Sequence, residues 1–125
     1  MDENALSKLI IGAAIEVHRQ TGPGLLESAY EECLAYEFTV RDIPFERQKP
    51  VPMVYKETQL DCGFRLDFLV GDLVVVELKA VSELTPTHDA QVLTYLKLTG
   101  CKLGLLLNFN VRLMRDGIKR LVLNL

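Results

Sequence analysis

Between Ala5 and Gln20 the apolar residues Leu6, Leu9, Ile10, Ala13 and Val17 return every three or four positions, with Lys8, Glu16 and Arg19 between them. That is the period of a helix with one buried stripe. Thr21-Gly22-Pro23-Gly24 breaks the pattern, which resumes from Leu25 to Arg41 through Leu26, Ala29, Tyr30, Cys33, Leu34 and Phe38, so two helices joined by a tight turn are expected. After Asp42-Ile43-Pro44 the pattern becomes extended: Phe45 to Lys49, then Val51 to Tyr55, with Pro50 and Pro52 confining these pieces to edge or bulged positions. Lys56-Glu57-Thr58 reads as a turn and Gln59 to Val70 as one long strand that Gly63 bends.

Past the Gly71-Asp72 turn, Leu73 to Ala80 forms another strand, and Pro86 to Thr99 a helix closed by Gly100. Leu103 to Phe109 is apolar with almost no alternation, the mark of an interior strand covered on both faces. Joining 73–80 to 103–109 through the helix makes a parallel, right-handed βαβ crossover, and Gly117 to Leu123 adds an outer strand. The expected class is α/β, in a single domain over residues 1–125.

The hairpin around Gly71-Asp72 has two plausible registers, and they differ in which side chains share a face. A two-residue turn pairs Val70 with Leu73 and mixes charge into both faces. With one more residue in the connection, Val70 pairs with Val74, and Phe64, Leu66, Phe68 and Val70 join Val74, Val76 and Leu78 as one apolar surface. Burial selects this second register. The other face then carries Arg65, Asp67 and Leu69 against Val75, Glu77 and Lys79, with Asp67 directly across from Glu77. Opposed Cβ atoms lie only about 4.5–5.5 Å apart, and like charges there destabilise unless something compensates.

Composition narrows the surroundings of this face. The chain has 125 residues, 49% hydrophobic and 25% charged, ordinary usage for a globular protein. It lacks repeats, low-complexity tracts and any apolar run near the ~20 residues a membrane span needs, and the acidic start Met1-Asp2-Glu3-Asn4 is unlike a signal peptide. Three cysteines without C-x-x-C spacing, Cys33, Cys62 and Cys101, are expected as buried free thiols in a reducing cytoplasm. The formal charge is −3, but it is unevenly spread: residues 97–125 hold Lys97, Lys102, Arg112, Arg115, Lys119 and Arg120 against Asp116 alone. Such a basic end either contacts phosphates or is a solvated surface.

A divalent cation is the natural compensator for Asp67 facing Glu77. Mg²⁺ takes carboxylate and carbonyl oxygens and keeps several waters, so the two carboxylates with the Leu78 backbone carbonyl make an open site. Lys79, two residues past Glu77 on the same face, then supplies a cation to orient an attacking water or to stabilise charge on phosphorus. The grouping suits Mg²⁺- or Mn²⁺-dependent phosphodiester hydrolysis.

The stretch Gly24-Leu25-Leu26-Glu27-Ser28-Ala29-Tyr30 spells G-x-x-E-x-x-Y. With Leu73–Ala80 (LVVVELKA) and Leu105–Phe109 (LLLNF) it resembles the GxxExxY protein family, grouped with the PD-(D/E)XK nucleases. The resemblance implies a restriction-endonuclease-like αβββαβ core, a mixed central sheet flanked by helices. It implies Glu27 as an outer metal-site carboxylate, Asp67 and Glu77 as metal ligands, Lys79 as the catalytic cation and Gln91 as a positioner of water or substrate. Leu66 stands in place of the proline that precedes the Asp in the superfamily's first motif, a proline that is often absent. A nucleic-acid substrate follows, DNA ahead of RNA, with a homodimer as one way for so small a core to grip a duplex.

Several residues keep two readings. Tyr30 either hydrogen-bonds near the site or packs; Arg65 either assists the site or, with Lys79, neutralises Asp67 and Glu77 without any cation. His88 reads as a solvated residue at a helix start and His18 as a complement to a helix dipole. The rival to an enzyme is a catalytically inactive binding module on the same fold.

Overall fold

The computed structural model describes residues 1–125. Helix α1 (Glu3–Thr21) starts at Asp2, whose carboxylate accepts the Ala5 N–H at 2.7 Å, the usual role of an N-cap acid. Helix α2 (Glu27–Val40) follows the Gly-Pro turn. Then come β1 (Phe45–Pro50), a small hairpin of β2 (Met53–Tyr55) and β3 (Thr58–Leu60), the pair β4 (Arg65–Val70) and β5 (Val74–Lys79), helix α3 (Pro86–Thr99), β6 (Leu103–Asn108), a 3₁₀ turn at Met114–Gly117 and β7 (Ile118–Val122).

One mixed sheet runs in the order β1-β4-β5-β6-β7. Only β5 and β6 pair in parallel, joined through α3; the other neighbours are antiparallel. This is the expected restriction-endonuclease-like α/β arrangement. Twenty buried residues pack α1 and α2 against one face of the sheet. A second cluster, including Leu69, Val75, Tyr95 and Leu96, packs α3 against the other. Strand β6 is buried at every position, as its unbroken apolar run requires.

The hairpin register is Val70↔Val74, Leu69↔Val75 and Phe68↔Val76, the one that burial selects. Gly71 and Asp72 both take positive φ, +58° each, and the Leu73 N–H bonds the Val70 carbonyl at 3.0 Å. The residues before Asp67 depart from expectation. Phe68 and Val70 pack with α1 and α2, whereas Leu66 and Phe64 pack on the α3 side. The apolar surface is therefore not continuous. Alternation slips by one at Asp67, and Gln48 beside it on β1 has φ +49°. Pairing resumes beyond both at Lys49↔Leu66, so the two strands turn over together.

Two further expectations need correcting. The long strand 59–70 is divided, because Gly63 takes φ +74° and its N–H bonds the Asp61 carboxylate at 3.1 Å, a local turn that competes with extension. Cys62, at this turn, is exposed, while Cys33 and Cys101 are half-buried; all three are free thiols.

Beyond β6 the chain returns tightly on itself. A Cβ on Gly117 would lie 2.0 Å from the Asn108 carbonyl oxygen. Gly117→Ala is therefore expected to lower stability by about 1–3 kcal/mol, read as a lower urea midpoint at unchanged slope.

Candidate active site

Two carboxyl groups replace part of the backbone ladder where β4 and β5 diverge. The Asp67 N–H donates to Glu77 Oε1 at 3.1 Å, and the Leu78 N–H donates to Asp67 Oδ2 at 2.9 Å. Each strand thus holds the other's acidic side chain, which fixes the pair more rigidly than two free carboxylates on a surface. Glu77 is 3% exposed. Burial, reinforced by the charge of Asp67, pushes its carboxyl up to about 9, against the opposing pull of Lys79.

Gln48 reaches the same pair from β1. Its Nε2 lies 3.4 Å from Asp67 Oδ1 and 2.5 Å from Glu31 Oε1. The positive φ that turns β1 over is thus carried by the residue that links α2 to Asp67. Arg47, next to it, binds both Glu31 and Glu32, so α2 is held to the sheet edge beside the site.

Lys79 is half-buried at the end of β5 and makes no ion pair with any carboxylate. Its strand end is pinned from β6. Asn108 lies opposite Lys79 in the register, and its buried amide accepts the Val81 N–H at 3.1 Å and donates to the Val81 carbonyl at 3.0 Å. The Phe109 N–H bonds the Lys79 carbonyl at 3.0 Å. A lone asparagine in an otherwise apolar run was the sequence signal for this clamp.

Glu27, the first residue of α2, is exposed at the rim. Partial desolvation raises its carboxyl above the ordinary range, with the Lys79 charge opposing and those of Asp67 and Glu31 adding. It does not join Asp67 and Glu77 in one cluster: no three His, Cys, Asp or Glu side chains converge closely enough to hold an ion. Gln91 is exposed on α3, its Nε2 3.4 Å from the Tyr95 hydroxyl. Tyr95 itself is buried, and its hydroxyl is raised by burial and by the Glu77 charge. Sequence reasoning passed over Tyr95 because an aromatic at helical spacing reads as core, and Gln48 because nothing in a strand pattern marks a positive φ.

Tyr30 is wholly buried, stacked on Phe109 with ring centroids 4.7 Å apart. Its hydroxyl donates to the Gly22 carbonyl at 2.6 Å and accepts the Leu25 N–H at 3.1 Å. It anchors the turn that leads into Glu27, and Gly24 in that turn has φ +106°. The Gly and Tyr of G-x-x-E-x-x-Y thus build the turn that presents the Glu. Tyr30→Phe keeps the stacking and loses both bonds, an expected cost of about 1–3 kcal/mol in denaturant unfolding.

Arg65 is exposed and forms no ion pair, so neutralisation of the two carboxylates by Arg65 and Lys79 is not what the structure contains. His88 caps α3: its Nδ1 accepts the Thr85 N–H at 3.0 Å. His18 is buried, with Nε2 2.7 Å from the Val111 carbonyl, so it tethers the segment after β6 to α1.

Asp67 and Glu77 offer only oxygen donors, the chemistry a hard divalent cation takes. Burial and the Asp67 charge hold Glu77 protonated, and such an ion would offset both once that carboxyl ionises. The donor set therefore fits the metal expected of this fold. No helix is long and apolar enough to cross a membrane. Neither the curated proteins nor the solved structures returned a match to the chain. A family model described as the PD-(D/E)XK nuclease superfamily does match, over residues 4–121, and with the αβββαβ order and the acidic pair ahead of Lys79 already in place, the chain belongs to that superfamily.

Proposed function

We propose that the protein is a Mg²⁺- or Mn²⁺-dependent phosphodiester hydrolase acting on nucleic acid, DNA ahead of RNA, and a member of the GxxExxY group within its superfamily. The observation that carries this reading is the interlocked Asp67–Glu77 pair with the unpaired Lys79 two residues on. Residues 1–125 work as one nuclease-like unit in a reducing cytoplasm.

Asp67, Glu77 and the Leu78 carbonyl would hold the divalent ion, which when bound supplies charge neutralisation at the phosphoryl oxygen and a more acidic water. Asp67 and Glu77, each held by a backbone N–H of the other strand, would keep those donor oxygens in place for it. Lys79 orients the attacking water or meets the negative charge that develops on the phosphoryl oxygens. Gln91, backed by Tyr95, holds water or substrate from the α3 side. Glu27, at the rim, would serve as the outer carboxylate of that metal site.

Incubation of the purified chain with end-labelled single- and double-stranded DNA and with RNA, each with Mg²⁺, Mn²⁺ or chelator, tests the reading. Cleavage of at least one substrate, dependent on metal and abolished by Asp67→Asn, is expected. Salt-sensitive binding with no cleavage under either ion would instead assign the chain to the inactive binding module.

A further inference from the structure

A cleft of about 720 Å³ opens between the C-terminal end of α1 and the segment after β6, lined among others by Arg19, Gly22, Pro23, Arg112, Met114 and Arg115. Three arginines in one cleft stand out in a chain of net charge −3. Arg19 is held by Glu16 at 2.7 Å, but Arg112 and Arg115 are exposed and make no ion pair. Other cations of the basic end are spoken for or distant. Lys119 pairs with Asp89 and Arg120 bonds Asn4. Lys97 and Lys102 sit at the opposite end of β6, near its first residue Leu103. The +5 of residues 97–125 thus resolves into one local pair of free guanidinium groups.

The walls of this cleft are the segments that frame the candidate site. Asn108 pairs with Lys79, and Arg112 lies four residues on, at most about 14 Å of chain away. Gly22 and Pro23 belong to the turn that Tyr30 ties down ahead of Glu27, and Tyr30 stacks on Phe109. His18 holds the near side through the Val111 carbonyl. The cleft therefore adjoins the acidic centre on a fixed frame, at a reach of a few nucleotides.

We infer that this cleft binds the phosphodiester backbone of the nucleic-acid strand flanking the cleavage position, through Arg112 and Arg115, without reading sequence. The choice of ligand rests on the nuclease reading. Its physical need is plain: Asp67 and Glu27 repel a polyanion, and cations beside them must supply the affinity that the centre lacks. Guanidinium groups suit the task because each presents a fork of donors to phosphate oxygens.

Fluorescence anisotropy of a labelled oligonucleotide, in chelator and over a salt series, tests this without requiring cleavage. The Arg112→Gln/Arg115→Gln protein is expected to bind at least about tenfold more weakly, with the slope of log K against log salt shallower by about 1.4–1.8. Lys97→Gln/Lys102→Gln, which removes the same charge from the far end, is expected to change little, and equal melting temperatures check that all three proteins are folded. Equal loss in both double variants, or none in the arginine variant, overturns the inference, as does an intact protein that binds no oligonucleotide. Arginine-dependent binding without cleavage would keep the cleft and fail the hydrolase; cleavage with arginine-independent binding would do the reverse.

Discussion

Glu77→Gln is expected to stabilise the metal-free protein at pH 8 while removing its cleavage activity. The Glu77 carboxyl titrates at about 9 in the folded chain, against about 4.3 in an unfolded one. Between those values the folded state binds more protons than the unfolded state, so stability falls as pH rises through this window. It is fully present below the unfolded value and lost by the time pH passes the folded one. Each pH unit inside the window takes away up to about 1.4 kcal/mol, and the total over the window is of the order of several kcal/mol.

Glutamine is neutral at every pH, keeps an oxygen to accept the Asp67 N–H, and offers an N–H to the Asp67 carboxylate. The variant's stability is expected to be nearly flat over pH 5–9, apart from groups elsewhere. Urea unfolding in chelator at each pH measures both proteins. Parallel pH profiles would mean that the Glu77 carboxyl is already ionised in the folded chain. The same substitution takes a donor from the proposed cation site, so stability and activity should move in opposite directions, as expected where a strained or charged site serves function.

Lys79→Ala is expected to lower the single-turnover cleavage rate by about 10²–10³-fold while leaving metal affinity within a few-fold of the intact protein. Lys79 makes no ion pair that folding depends on, and its strand end is held by Asn108 and Phe109. Its loss should therefore leave the fold intact and act on the chemical step. Lys79→Arg keeps the charge on a longer, planar head and should recover only part of the rate. A Lys79→Ala protein that cleaves as fast as the intact one would remove Lys79 from the centre.

The parts of the fold that were legible in the sequence are those where one local rule acts alone. Helix α3 carries Pro86 at its start and Gly100 at its end, where φ is +77°, and it forms with the boundaries these residues set. Strand β6 announces its double burial by its apolar run. The pairing of Val70 with Val74 follows from burial alone, because a one-residue shift would have placed charge among the apolar side chains.

Legibility ends where two strands depart from regular alternation together. Leu66 faces α3 because β1 and β4 turn over at Gln48 and Asp67, and a period-2 pattern has no way to signal a paired inversion. Yet Asp67, a candidate site residue, lies at that very inversion, and its carboxylate accepts the Leu78 N–H there. Long-range placement was equally hidden. Glu27 belongs to the resemblance, and only the tertiary structure places it at the rim, apart from the Asp67–Glu77 pair. Arg112 and Arg115 read as part of a diffuse basic end until the chain's return after β6 set them in one cleft.

The central claim is that the Asp67–Glu77 pair is an incomplete site which a divalent cation completes. Calorimetric titration of Mn²⁺ into metal-free protein at pH 7.5, repeated in buffers of different ionisation heat, tests it most directly. The account predicts saturable binding with release of about one proton in the intact protein, because Glu77 must ionise to bind, and loss of binding in Asp67→Asn. Absence of Mn²⁺ binding at millimolar concentration, or binding that Asp67→Asn and Glu77→Gln leave unchanged, would contradict it.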